Sequence, residues 1–304
     1  MKFFKKECLL IIISLLFTPP VHAQNLSGIE TDQVTVLFDK SLEFAAREVT
    51  LIYPSVKKEL EEALCWKVDF KPTVVLIREN DRFQLMAGHS SYVAYAVVDK
   101  KLIVIDYSRM NIQPFTLRVT LKHELCHLVL HHYIHDVHLP KWLDEGVAQW
   151  ISDGIAEIMT GKRESVLRWA AITGRFIRLS SLSHHFPQNE RDLILAYEQS
   201  KGLVEYIIAN YGKNGVLNIL EAMKDGHEAQ EAIDMALMIS TAELEQRWRN
   251  EQRTWFSLFS FLIGNIYTII FFVSALLTIV IYIRVLIRKK RRFEEEEEDD
   301  YLYP

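Results

Sequence analysis

Residues 123–127 read His-Glu-Leu-Cys-His, and Glu145 follows the second histidine by eighteen positions within Trp142-Leu143-Asp144-Glu145-Gly146-Val147-Ala148. Two histidines four residues apart on a helix stand one turn apart on the same face, so His123 and His127 can grip one metal ion. Glu124, beside that pair, is placed to take a proton from a water held by the ion. Glu145 is the candidate third ligand. A structural zinc site closes with four protein ligands, often thiolates, whereas a catalytic one keeps three and leaves a position for water. The pattern implies zinc-dependent hydrolysis.

That chemistry needs a helix around residue 123, and the surrounding sequence predicts one. Gln113-Pro114 opens a stretch from Phe115 to Tyr133 with Leu117, Leu121, Leu125, Leu128 and Val129 on a helical period, uninterrupted by Gly or Pro. Pro140 suits the first turn of a second helix, which would hold Glu145 in its early turns and aim it back at the metal. His131, His132, His135 and His138 compete with Glu145 for the third position. His131 continues the i+4 row, but it lies about 12 Å along the helix axis from His123, too far to share one ion. The cluster as a whole reads as a solvated helix end or loop. Cys126 faces away from the histidine pair and reads as a small core residue.

The two segments resemble gluzincin metallopeptidases, and more closely the peptidase-MA-like proteins, a group of thermolysin-type catalytic domains. Trp142 to Ala148 is similar to the W-L-x-E-G-x-A segment of that group and of the aminopeptidase N family. The resemblance continues through Ala196-Tyr197-Glu198-Gln199-Ser200, Leu203-Val204-Glu205-Tyr206 and Tyr211-Gly212 to Glu243-Leu244-Glu245-Gln246-Arg247-Trp248, over about residues 72–250. It implies zinc held by His123, His127 and Glu145, with Glu124 as general base. A metzincin is excluded, because its glycine and third histidine would fall on Leu130 and Tyr133. The Gly-x-Met-Glu-Asn segment by which aminopeptidase N relatives hold a free amino terminus is absent, so the resemblance favours an endopeptidase.

Two departures bear on the supporting residues. Thermolysin carries an Asp four residues after its ligand Glu, where this chain has Gln149, so the carboxylate orienting a ligand histidine would be Asp144. The family tyrosine that stabilises the oxyanion usually stands two residues before a Lys-Gly pair. Gln199 holds that place before Lys201-Gly202, and the nearest tyrosine is Tyr197. Tyr197 is then either the oxyanion donor in a shifted register or an aromatic packed on a helix. His184 and His185 are alternative donors, although a lone loop histidine usually has no such role.

The chain ends predict a compartment. Lys2, Lys5 and Lys6 precede an apolar run from Cys8 to Phe17, then Pro19-Pro20 and Val21-His22-Ala23, the order of a secretory signal peptide over residues 1–23. The run of about ten apolar residues falls short of the ~20 that span a bilayer. Trp255 to Ile283 contains no charged residue and is long enough to cross one, with Trp255 and Tyr282 suited to the interfaces. Arg284, Arg288, Lys289, Lys290, Arg291 and Arg292 follow it and place the tail, residues 284–304, in the cytoplasm. The expected arrangement is a catalytic domain over residues 24–252, outside the membrane on a single anchor. Asn25-Leu26-Ser27 is the one glycosylation sequon, which favours a bacterial periplasm.

Composition sets limits on the rest. The net charge is −5, and Glu294 to Asp300 alone carries −7, so the remainder is near neutral and offers no footprint for nucleic acid. That acidic block reads as solvated and disordered. Downstream of the leader only Cys65 and Cys126 occur, so there is no disulfide framework. Strands are predicted at Val34–Phe38, Thr73–Ile77, Tyr92–Val98 and Leu102–Ile105, the last two as a hairpin about Asp99-Lys100, with a helix from Ser41 to Leu64. Almost everything from Phe115 to Arg253 is helical in pattern, broken at Pro140, Gly161, Gly174, Pro187, Gly212 and Gly226. The fold class is α+β: a thermolysin-like domain with a sheet-bearing lobe and a helical lobe, and one C-terminal transmembrane helix. By the resemblance, the edge strand at Tyr92–Val98 would lie against extended substrate.

A membrane-anchored zinc metallopeptidase acting on proteins or peptides is the first reading. The second is a non-catalytic binding or chaperone-like module on the same fold. The presence of Glu124 separates them, since metal binding alone requires no base beside the ligands.

Overall fold

The computed structural model describes residues 26–87, 92–110, 116–134, 139–154, 166–253 and 264–302. Residues 1–23, read above as a signal peptide, lie outside them, as do His135, His138, Gly161 and residues 254–263 at the start of the apolar stretch.

A five-stranded mixed sheet forms the first part: β1 (Ser27–Glu30), β2 (Thr35–Phe38), β3 (Thr73–Ile77), β4 (Ala94–Val97) and β5 (Leu102–Asp106), in the order β1-β2-β3-β5-β4. The central strands β2, β3 and β5 are parallel, and the edge strands β1 and β4 are antiparallel to their neighbours. A parallel pair needs a crossover, and α1 (Glu43–Leu64) supplies the one between β2 and β3. The β5 sequence Leu-Ile-Val-Ile-Asp is buried throughout, as expected of a strand covered on both faces. Its residues divide by the period of two. Ile103 and Ile105 join the main core, while Leu102 and Val104 pack with Ile77 and Phe83 on the other face.

Phe83 belongs to α2 (Asn80–Ala87), a short polar helix absent from the sequence expectation, as was β1. Both lack the length that makes a periodic pattern legible. The hairpin is present with Ala94 opposite Ile105 and Val97 opposite Leu102, turning through Val98–Lys100 into a left-handed Lys101 with φ 49°. β4 is an edge strand, as expected.

The histidine motif lies on α3 (Leu117–Tyr133), which begins where the Thr116 side chain accepts from the Val119 N–H. Its buried residues run almost unbroken from Leu117 to Leu130, because α1, β4, β5 and the following helix α4 (Lys141–Ser152) surround it. Glu59 of α1 ties the outer side of α3 through Arg118 and Lys122. Pro140 stands just outside α4 as its extended N-cap, one position earlier than the sequence predicts.

The rest is helical: α5 (Val166–Thr173), α6 (Leu179–Leu182), α7 (Glu190–Tyr211), α8 (Lys213–Lys224), α9 (Ala229–Leu237), α10 (Thr241–Gln252) and α11 (Ile266–Leu302). Helix α4 packs against α7 through Gly146. A Cβ there would stand 2.5 Å from the Ser200 carbonyl oxygen and 2.7 Å from Val204 Cγ2, so only glycine permits this separation. In α11, Ile266–Lys289 is long and apolar enough to cross a membrane, and none of its apolar stretch is buried within the protein. The helix then continues through the acidic block to Leu302, where the sequence reading expected disorder. Lys, Arg and Glu are good helix formers and extend a helix already nucleated by the apolar segment.

Candidate metal centre

Five ionisable groups are buried where α3 meets α4: His123, Glu124 and His127 from α3, and Asp144 and Glu145 from α4. Such burial is costly unless each group is paired or holds a metal. The i+4 spacing brings the two imidazoles together, with His123 Nε2 and His127 Nε2 3.1 Å apart. Glu145 Oε2 lies 3.7 Å from the first and 3.6 Å from the second. Ligands around a tetrahedral zinc ion are spaced at about 3.3 Å, given bonds near 2.0–2.1 Å. The three atoms form the one group of its kind among the described residues.

The carboxylate of Glu145 supports the same assignment. Its Oε1 is 3.2 Å from the Lys141 ammonium, while Oε2 is buried and makes no hydrogen bond. An orphaned carboxylate oxygen facing two imidazole nitrogens is the environment a cation relieves. Burial works to raise the Glu145 pKa, but Lys141 and the neighbouring imidazoles outweigh it and hold the group down to about 2. The residues therefore fit a zinc ion on geometry, donor type and charge.

Beyond the three converging atoms, α4 contacts both rings. Asp144 Oδ1 is 2.6 Å from His127 Nδ1. Burial favours the neutral acid, yet His127 and His131 hold the Asp144 carboxyl well below the usual carboxylate range. An ionised carboxylate only accepts, so His127 Nδ1 carries a hydrogen directed at Asp144, and the ring's Nε2 faces the centre. The orienting role assigned to Asp144 rests on this contact. Ser152 Oγ lies 3.5 Å from His123 Nδ1, a position the sequence reading missed. Glu145 and Ser152 fall seven residues apart, which is two helical turns on one face, and that spacing was the available signal. Gln149 does not orient a ligand: its Nε2 donates to the carbonyls of Glu145 and Tyr197 and binds α4 to α7.

His131 requires a correction. Instead of belonging to a solvated end, its side chain is only 16% exposed and its Nε2 is 3.0 Å from Asp144 Oδ2. It lies outside the group of three converging atoms. His132 is exposed and pairs with Asp69 at 2.9 Å. Tyr197 is buried in the core, 1% exposed, with its ring 5.0 Å from Phe186 in an edge-on contact. His184 and His185 are exposed. Cys126 is buried in the core, as expected.

A comparison with curated proteins found no match. Among solved structures, the chain is similar to native yeast LTA4 hydrolase, at 11% identity and a TM-score of 0.43, covering 75% of this chain and 37% of that one. It is also similar to an M1 zinc metallopeptidase from Deinococcus radiodurans, at 14% identity and a TM-score of 0.37, covering 73% of this chain and 50% of that one. The chain thus spans at most half the length of either. The sequence model of the Peptidase MA superfamily matches residues 84–254, which include α3, α4 and the helices after them. With that match over more than half its length, the chain belongs to the Peptidase MA superfamily.

Proposed function

We propose that this protein is a membrane-anchored zinc metallopeptidase that hydrolyses peptide bonds of protein or peptide substrates outside the cytoplasmic membrane, as an endopeptidase. The convergence of His123 Nε2, His127 Nε2 and Glu145 Oε2 within 3.1–3.7 Å carries this reading. These three residues would hold the zinc. When bound, zinc polarises the scissile carbonyl and acidifies water toward a pKa of about 7.

The chain's own groups do the remaining work. Glu124 takes a proton from the attacking water and delivers it to the leaving amine. Asp144 keeps the His127 ring turned with Nε2 inward, and Lys141 keeps Glu145 from swinging both oxygens to the centre. The sheet-bearing part and the helices from α4 onward form the two lobes of a thermolysin-like cleft, with β4 along the substrate. The organisation is a signal peptide over 1–23, a peptidase domain over 24–252, a transmembrane segment over 255–283 and a cytoplasmic tail over 284–304. The basic residues after the apolar stretch support that orientation.

The test combines zinc analysis with cleavage of a peptide library by the purified chain. One zinc per chain and cleavage lost on chelation are expected. A zinc-loaded chain that cleaves no library peptide would transfer the assignment to a binding module.

A further inference from the structure

Helix α3 presents three histidines in one row, each four residues from the next: His123, His127 and His131. The first two direct Nε2 atoms toward each other and toward Glu145. The third directs its Nε2 at Asp144, whose other oxygen receives His127 Nδ1. We propose that His131 is a positioning residue of the metal centre, acting through Asp144 to fix the His127 ring. The inference rests on the reading of His123, His127 and Glu145 as zinc ligands.

A carboxylate held at one oxygen can still rotate about its last side-chain bond and carry the bound ring with it. Two contacts on different oxygens, at 2.6 Å and 3.0 Å, remove that freedom. Both imidazoles come from α3 and the carboxylate comes from α4, so the clamp also fixes the relative placement of the helices that supply the ligands. Stability alone is a weak account of this pair, because attraction between buried charges only roughly repays their desolvation. Control of ring orientation at a metal site is a demand that such geometry meets, and partners of this kind typically change metal affinity 10–100-fold. His131 is too far along α3 to ligate, and this geometry gives it a role one residue removed from the ion.

The full chain in detergent tests this with His131→Leu, His131→Gln and His131→Asn, alone and combined with Asp144→Asn. Zinc affinity is read by competition with a chromophoric chelator, coordination by the visible spectrum of the cobalt-loaded chain, and folding by melting in excess chelator. His131→Leu and His131→Asn should lose tenfold or more in zinc affinity and alter the cobalt spectrum, on the scale expected for an orienting partner. His131→Gln, whose amide nitrogen reaches about as far as the ring Nε2, should stay within about threefold of the parent. Melting in chelator should show that all three remain folded, so that a loss of affinity is read on a folded chain. In the Asp144→Asn background, His131→Leu should cost less than in the parent, since the amide already weakens the route through which His131 acts.

Parental affinity in His131→Leu, equal losses in His131→Leu and His131→Gln, or losses additive with Asp144→Asn would each overturn the proposal. If His131→Leu fails to fold, the contrast between the Gln and Asn variants decides the question. A parent chain that binds neither zinc nor cobalt would bring down the ligand assignment itself. A parent that binds while His131→Leu binds equally removes only the role of His131.

Discussion

Asp144 and Glu145 are adjacent in sequence but serve different parts of the centre: Asp144 Oδ1 meets His127 Nδ1 at 2.6 Å, while Glu145 Oε2 stands 3.6 Å from the same ring's Nε2. Successive residues of α4 thus face the two nitrogens of one imidazole, Asp144 in a hydrogen bond and Glu145 at a distance that leaves room for an ion. The first contact sets which nitrogen has a lone pair to offer, and the second marks where that lone pair points.

On the proposed ligand set, substitution of Glu145 by Ala removes a ligand outright, whereas Asp144→Asn only unsettles one. Zinc should be lost from the Glu145→Ala chain at concentrations that saturate the parent, while Asp144→Asn should bind about 10–100-fold more weakly. Chelator competition measures both. An Asp144→Asn variant with parental affinity would show that His127 needs no orienting partner.

Glu124→Gln should keep its zinc and its fold while peptide hydrolysis falls by about 10²–10⁴-fold, the usual cost of losing a general base. Because the cleft and ligands remain, this variant should still bind substrate and serve as a trap. Undiminished turnover with bound zinc would require a base elsewhere.

At Gly146 an added methyl would run into the Ser200 carbonyl oxygen at 2.5 Å and Val204 Cγ2 at 2.7 Å. Gly146→Ala should destabilise the protein by about 1–3 kcal/mol through overpacking, and push α4 with Glu145 away from α7. A lowered melting temperature together with weaker zinc binding is the expected result. A variant that melts with the parent would mean that α4 and α7 have room to part.

Cys126 is buried and its thiol pKa is raised well above the usual value, chiefly by burial and then by the charge of Asp144, whereas Cys65 is exposed. The thiolate is the reactive form. Alkylation of the folded chain followed by peptide mass mapping should therefore label Cys65, and label Cys126 only after denaturation. Labelling of Cys126 at a similar rate in the folded chain would indicate that α3 opens readily.

The proposed orientation predicts that protease added outside spheroplasts digests the domain ahead of the apolar helix and spares a tag placed after Pro304. Loss of that tag from outside would reverse the topology. Removing the basic residues from Arg288 to Arg292 should weaken the preference, since positive charge beside the span sets it.

Some of this protein is local in origin and therefore legible in the chain. The reach between His123 and His127 follows from 3.6 residues per turn, and that helical geometry is the same in any protein. The apolar stretch ahead of Arg284 announces itself by composition, and the continuous hydrophobic run of β5 by its length. Glu145 is placed by a different kind of fact. Its arrival at the histidine pair depends on α4 packing against both α3 and α7, and on a glycine that lets α7 approach. The sequence shows that glycine without showing what it faces. The same holds for His131, whose spacing along α3 sets it apart from the His123–His127 pair but says nothing of Asp144 coming to meet it. Helical periodicity determines which side chains share a face. Only close packing between elements distant in sequence decides what that face touches, because such contacts depend on the shapes of both surfaces at once.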